Sequence, residues 1–325
     1  MTDPIILPRG RQYPPVVVRS KMVLELASEL ITDKGWFQEQ AKVTLRPQGP
    51  GPWEITLYAS DSADAIDEVA RGETHLAIVN PGAILTLATK GTGPFKEPIP
   101  LRAITVIGSY DQLALGVRED AGINSLEEIR DKKYPLAISV RGQRDHTIHL
   151  VLDEVFKALG FSTKDLESWG GKINFDDGLP YPHRVASVAE GKSNALFDEA
   201  AVQWVDHGLE VGMKLLPIAE QVLQKLEEVG FRRGVIEAKD YENLAEDVQT
   251  IDYSGFIVYT HENTPDDVVS AICGAIDRRQ DRIPQDKGPG QLELDRMCRD
   301  TPEGPLDIPL HRAAEAYWKE HGYLK

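Results

Sequence analysis

Residues 141–147, Arg141-Gly-Gln-Arg-Asp-His-Thr147, set two guanidinium groups, a carboxylate, an imidazole and a hydroxyl within one loop-sized stretch. Arginine presents a planar fork of N–H donors that matches a carboxylate or phosphate. Asp145 and His146 are residue types that transfer protons. The flanks show how the stretch is held. Residues 136–140 are a short apolar run between Pro135 and Gly142, the pattern of a buried strand. Apolar residues then fall at Ile148, Val151, Leu152, Val155, Phe156 and Leu159, one face of a helix, and Gly160 supplies its stop. A strand feeding a helix through this loop aims free backbone N–H groups, with Arg141 and Arg144, at one spot. That is an anion-sized receptacle. Ser139 and Thr147 join the candidates.

Other strand ends carry polar groups too. Ser60 and Ser62 precede a predicted helix, and either offer donors to a ligand carboxylate or cap that helix. Asn80 ends an apolar run at 75–79, as a ligand contact or a turn residue. Asp198 and Glu199 follow the short run 194–197. They read as acceptors for a ligand hydroxyl or amine, as partners of Arg141, or as acids matched to the next helix dipole. His146, His149 and Asp153 have a metal-like i, i+3, i+7 spacing, but His149 flanks the apolar stripe and no third strong ligand accompanies them. Neither a metal nor a cofactor is expected. His311 reads as structural, and Tyr13, Trp53, Tyr58, Trp169 and Tyr181 as core residues before cleft walls.

The chain has 325 residues, which makes two lobes the default. Its hydrophobic fraction of 41% suffices for real cores, and its net charge of −16, without a dense Lys/Arg run, argues against nucleic-acid binding. Nothing approaches a membrane span. Cys273 and Cys298 lack a Cys-x-x-Cys neighbour. Cys273 reads as a buried hydrophobe, and a disulfide between the two stays open. The start, MTDPIILPRGRQYPP, lacks an export-signal pattern. The expectation is a cytoplasmic chain as written, or a periplasmic one if a leader precedes it.

Along the chain, strand–helix alternation with short loops predicts an α/β fold with mixed sheets flanked by helices. Strands are expected at 16–18, 42–46, 53–58, 75–79, 101–107, 113–117, 136–140, 194–197 and 253–260. The first helix places Met22, Val23, Leu26, Ala27, Leu30 and Ile31 on one face. Asn124-Ser-Leu-Glu-Glu128 reads as a capping box, with Ser125 as N-cap and Glu128 at N3. Thr264 and Pro265 open a late helix as N-cap and N1. Residues 161–178 read as irregular, and 232–246 carry few periodic signals.

Four passages resemble the solute-binding proteins of TAXI-type TRAP transporters, within the type-2 periplasmic-binding-protein fold. Ser60-Asp61-Ser62, a helix, Gly72-Glu73 and Leu76-Ala-Ile-Val79 resemble that family's small-residue loop and "G-E-x-D-L-A-I-V" strand. INSLEEIRDKK at 123–133 resembles "I-x-S-x-x-D-L-K-G-K". Gly191-Lys-Ser-Asn-Ala-Leu-Phe197 resembles "G-x-I-D-A-x-F". Residues 308–322 resemble the "L-P-L-H-x-G-A-x-x-Y-Y-x-E-x-G" ending. The chain departs from the family at Arg19-Ser20-Lys21, at the charged 141–147 loop and at Ala313.

The resemblance implies a two-lobed clamp. Lobe one takes 1–110 and 255–325, lobe two takes 111–254, and two hinge strands near Leu113 and Phe256 join them around a cleft. The expected function is non-catalytic binding of a small anionic solute, a carboxylate, by Ser60, Ser62, Asn80, Ser139, Arg141, Arg144, Asp145, His146, Thr147, Asp198 and Glu199. The partners are that solute and a membrane transporter. No catalytic residue is assigned. The alternative is an enzyme on the same fold, of which dihydroxyphthalate decarboxylase is a relative by resemblance, using Asp145, His146, Asp198 and Glu199 for acid–base chemistry.

Overall fold

The computed structural model describes residues 19–32, 40–46, 54–60, 62–280 and 293–325. The strand expected at 16–18, the Gly/Pro turn at 47–52, Tyr13, Trp53 and Asp61 lie outside the described residues. The chain divides into two compact units, 1–39 and 40–325. In the first, the helix Arg19–Thr32 forms where periodicity predicts it, with Met22, Val23, Leu26 and Leu30 exposed.

The second unit contains strands β1 (Gln40–Leu45), β2 (Ile55–Ser60), β3 (Leu76–Val79), β4 (Leu101–Ile107), β5 (Ala114–Arg118), β6 (Ala137–Arg141), β7 (Lys172–Asp176), β8 (Ala195–Asp198), β9 (Met213–Leu215), β10 (Arg233–Ile236), β11 (Val248–Ile251) and β12 (Phe256–His261). Sheet one has the order β1-β2-β3-β12-β4 and sheet two β7-β6-β8-β5-β9, while β10 and β11 form a separate ribbon. Both sheets are mixed. In sheet one β2 and β3 are parallel and β12 antiparallel to both its neighbours. In sheet two β6 runs parallel to β7 and β8, and β5 antiparallel to β8 and β9. The fold is α/β, as the alternation of elements predicts.

Period-2 alternation sends the two faces of each strand to different layers. From sheet one, Leu76, Ile104 and Val258 pack with helices Asp266–Arg279 and Arg312–Glu320, where Trp318 donates its indole N–H to the Ile104 carbonyl at 2.8 Å. The opposite face, through Ala77, Val79, Ala103, Ile257 and Tyr259, joins a core that also takes in Ile138 and Val140 of β6 and Leu223 and Leu226 of helix Glu220–Val229. One apolar cluster therefore spans both sheets. Cys273 and Cys298 are buried free thiols in the outer layer of sheet one.

The chain passes between the sheets twice, through 108–113 after β4 and through 252–255 before β12. The two crossings are bonded to each other. The Tyr253 N–H donates to the Asp111 carbonyl at 3.0 Å, Gly255 to Ser109 at 3.1 Å and Leu113 to Ile251 at 3.2 Å. The Ser254 hydroxyl accepts from the Asp111 N–H at 3.0 Å. Asn80, at the end of β3, clasps the same crossing: its amide donates to the carbonyls of Tyr253 at 2.8 Å and Gly255 at 2.9 Å.

Some local expectations shift. Ser125 caps its helix by accepting from the Glu128 N–H, but Glu128 reaches back to the Asn124 N–H rather than to that of the cap. Pro265, not Thr264, holds the N-cap place of helix Asp266–Arg279. The stretch 161–178 is ordered after all, with helix Thr163–Ser168 closed by a Ser162/Asp165 capping box and followed by β7. Residues 232–246 contribute β10 to the ribbon.

The Asn80 clasp sets a test. Replacing Asn80 by Ala strands two buried carbonyls, and the expected loss in chemical denaturation is about 1–3 kcal/mol. Asn80→Asp turns an acceptor toward both carbonyls and costs more than Asn80→Ala.

Candidate functional site

The strand-end loops of the two sheets meet. Ser62, two residues past β2, forms an antiparallel backbone bridge with His146 in the loop after β6. Next to it the Thr147 hydroxyl donates to the Asn80 carbonyl at 2.9 Å and lies 3.0 Å from the Tyr253 hydroxyl. Thr147 has one proton to give, so Tyr253 donates to Thr147 and Thr147 to Asn80. A fixed chain of hydroxyls thus runs from the second crossing, through the helix Thr147–Leu159, to the end of β3.

Behind this seam lies a buried charge cluster. Arg141, at the end of β6, donates to Asp198 Oδ1 through Nε at 3.2 Å and a terminal nitrogen at 3.1 Å, and also to Glu199 Oε1. Arg184, which has no exposed surface, donates to Asp198 Oδ2, to the Ser139 carbonyl at 3.1 Å and to the Phe197 carbonyl at 3.0 Å. Burial pulls the Arg184 pKa down to about 9, and Arg141 nearby pushes the same way. The Ser139 hydroxyl donates to Asp176 Oδ2 at 2.6 Å. Buried charges persist only when paired and hydrogen-bonded, and here two cations meet two anions.

Glu199 is held from its backbone. Its carbonyl accepts the Trp204 indole N–H at 3.1 Å, and Ala200 after it takes a left-handed conformation (φ 57°) that turns its N–H onto Asp111 Oδ1 at 2.7 Å. Burial, and then the charge of Glu199, raises the Asp111 pKa to about 8. His146 Nδ1 accepts from the Ile148 N–H at 3.1 Å, so the neutral ring carries its proton on Nε2, which lies 3.9 Å from Glu199 Oε1. Burial lowers the His146 pKa to about 4, against the opposing pull of Glu199.

Of the residues singled out from sequence, Ser62, Arg141, His146, Thr147, Asp198 and Glu199 come together here, with Ser139 beneath them. Arg141 is paired with Asp198 and Glu199, which was one of the open readings of those acids. Ser60 and Ser62 are engaged with Asp64: Ser62 donates to its carboxylate at 2.6 Å and accepts its N–H at 3.0 Å, while Ser60 stands 3.4 Å from it. Asn80 gives the site its carbonyl and spends its amide on the crossing. Arg144 and Asp145 are exposed and turn away, and the Arg144 guanidinium sits 3.4 Å from the centre of the Phe175 ring. That corrects the expectation that both arginines of the loop point to one spot, because an accessible aromatic face offers Arg144 a cation–π partner.

Sequence reasoning missed Arg184, Tyr253 and Asp111. The Arg184 signal was a charged residue directly before the run Val185-Ala-Ser-Val188, and Tyr253 was absorbed into an apolar strand. Among the described residues no group of three or more His, Cys, Asp or Glu is arranged to hold a metal, and no helix is long and apolar enough to cross a membrane.

Residues 55–322 match the NMT1-like family. The chain belongs to the NMT1-like family. No curated protein matches it significantly. Among solved structures, this NMT1-like chain is similar to an ancestral arginine-binding protein bound to arginine, at 13% identity over 67% of this chain and 71% of that one, with a TM-score of 0.33. It is also similar to a periplasmic transporter, at 16% identity over 79% and 78%, TM-score 0.35. The L-cystine solute receptor of Neisseria gonorrhoeae, in its unliganded open conformation, matches at 12% identity over 68% of each chain, TM-score 0.26.

The two perturbed groups predict opposite pH effects. His146 is held neutral below its ordinary value, so the unfolded chain binds its proton first as pH falls. Its contribution is lost between about pH 6.5 and pH 4 and amounts to about 3 kcal/mol. His146→Gln should flatten the acid limb of a Tm–pH curve. Asp111 keeps its proton above its ordinary value, so its contribution fades as pH rises from about 4 to 8. Asp111→Asn should therefore raise Tm relative to the parent at pH 8 and leave it unchanged near pH 4.

Proposed function

We propose that this chain is a non-catalytic receptor that encloses a small carboxylate solute between the two sheets, with 40–110 and 255–325 as one lobe and 111–254 as the other. The observation that carries the reading is the Ser62–His146 bridge. It brings strand-end loops of both sheets together beside a bonded double crossing, the place where open α/β sheets take their ligands. Arg141 supports the carboxylate: its fork lies at the rim of the cluster, about one-sixth exposed, where Arg184 has no exposed surface. His146, whose Nε2–H is left free by the bond to Nδ1, supplies a further donor beside it, while the hydroxyls of Ser62 and Thr147 are spent on Asp64 and on the Asn80 carbonyl. The reading extends to the partner and the place. The receptor serves a membrane transporter of the TAXI type of TRAP system, in the periplasm, as the sequence resemblances imply.

One observation favours a second reading. His146 Nε2–H faces Glu199 in a buried setting, which is the arrangement of an acid–base pair. Recovery of the bound acid unchanged after long incubation sets that reading aside, and a changed product replaces the receptor with an enzyme.

The direct test is a thermal-shift screen of mono- and dicarboxylates, amino acids and aromatic acids at low and high salt. A true ligand at a hundred times its Kd stabilises by about 2.7 kcal/mol. Arg141→Gln should weaken binding at least about tenfold, the size of a lost charge-assisted hydrogen bond. An unmoved Tm with every acid at low salt overturns the proposal.

A further inference from the structure

The charges in the cleft do not favour a plain anion. Arg141 and Arg184 are each bonded to Asp198, and Arg141 also to Glu199, so the two cations are already matched by two buried carboxylates. Asp176, half-buried and bonded to Ser139, adds a third negative group beside Arg184. His146 is neutral, and Asp111 and Tyr253 hold their protons at neutral pH. Among the described residues no positive excess remains in the enclosure to compensate an incoming carboxylate.

Beside this cluster a carboxylate oxygen is unsatisfied. Glu199 is 6% exposed; its Oε1 takes Arg141, and its Oε2 is buried with no hydrogen-bond partner among the described residues. Arg141 holds the carboxylate by its other oxygen, and the backbone beneath it is anchored as well. The Trp204 indole holds its carbonyl, and the left-handed Ala200 that follows is anchored on Asp111. A buried carboxylate oxygen fixed in this way is an acceptor placed for a donor. The groups around Glu199 (Arg141 and His146 on the loop after β6, Tyr253 and Asp111 on the crossings) line the seam where the two sheets meet.

We infer that the solute enclosed by this cleft carries a cationic N–H donor as well as a carboxylate, and that Glu199 is the residue that selects for it. The inference rests on the receptor reading above. An amine-bearing acid brings its own balancing charge into a site that has none to spare, whereas a simple carboxylate leaves one charge uncompensated and Glu199 Oε2 unpaired. Arg184 takes no part in selection. It fixes Asp198 and the end of β8, and through them the place of Glu199.

The test is calorimetric titration of the full chain with matched acids: each amino acid, the same skeleton without its amino group, and the corresponding hydroxy acid. The expected result is that an amine-bearing member binds at least about tenfold more tightly than its deaminated partner, the size of one charge-assisted hydrogen bond. Glu199→Gln should reduce that preference to less than about threefold, because the amine-bearing acid loses its acceptor while Arg141, released from Glu199, is freer to take a plain carboxylate. Glu199→Asp, which keeps the charge and withdraws it by one methylene, should show an intermediate preference and serves if the Gln variant does not fold. A deaminated or hydroxy acid that binds as tightly as the amine-bearing one overturns the inference while the receptor stands. So does a preference that survives Glu199→Gln. If no member of any class binds the parent protein, the receptor reading falls and this inference with it.

Discussion

Charges taken out of water must be compensated, and the centre of this molecule is arranged by that constraint. Arg184 is the clearest case. A guanidinium with no exposed surface is tolerable only because Asp198, Ser139 and Phe197 receive its donors. Satisfying it ties the C-terminal part of β6, the end of β8 and the start of helix Val185–Ala189 to one another. Arg141 and Glu199 inherit their positions from that knot. Such a cluster is weak evidence for stability, since desolvation offsets much of the attraction between its members. Its worth lies in geometry: it leaves each carboxylate and guanidinium little freedom to rearrange.

The knot is coupled to the crossings by uncharged groups. Asp111, retaining its proton, receives the Ala200 N–H. Tyr253 donates to Thr147, and Thr147 to Asn80, whose amide returns to the backbone around Tyr253. Loops from both sheets are thereby referred to the same few residues of the connecting segments. On the proposed receptor reading, a solute beside His146 and Glu199 would touch groups whose partners sit on those segments, which links local contacts to the relative placement of the two sheets.

Much of this was legible in the sequence where periodicity was strong. The helix Thr147–Leu159 and its Gly160 stop follow from spacing alone, and six of the eleven proposed site residues meet at the seam. The failures have physical causes. Arg141 and Arg144 are the same residue type three positions apart in one loop. Which of them turns inward depends on Asp198 and on Phe175, and neither is a sequence neighbour. Asn80 admitted a contact or a turn reading, and its true engagement is with backbone more than 170 residues away. Helix Thr163–Ser168 is too short for periodicity to register, although Ser162 and Asp165 spelled its cap. Arg184 was hidden because a charged residue next to an apolar run is ordinarily solvated.

The apolar cluster that runs without a break from sheet one through helix Ala83–Lys90 to helix Glu220–Val229 and sheet two has a mechanical consequence. Gly230 lies where a side chain would press on Thr86 and Leu87, and the Thr92 hydroxyl donates to the Val229 carbonyl. The two halves are therefore in dry contact along a flank as well as at their polar seam. A door on two pins can swing freely, but a joint whose flank is greased and interlocked can only slide. Relative motion in this protein is expected to be a short shear along that flank, with side chains changing neighbours by small steps while the core remains closed to water.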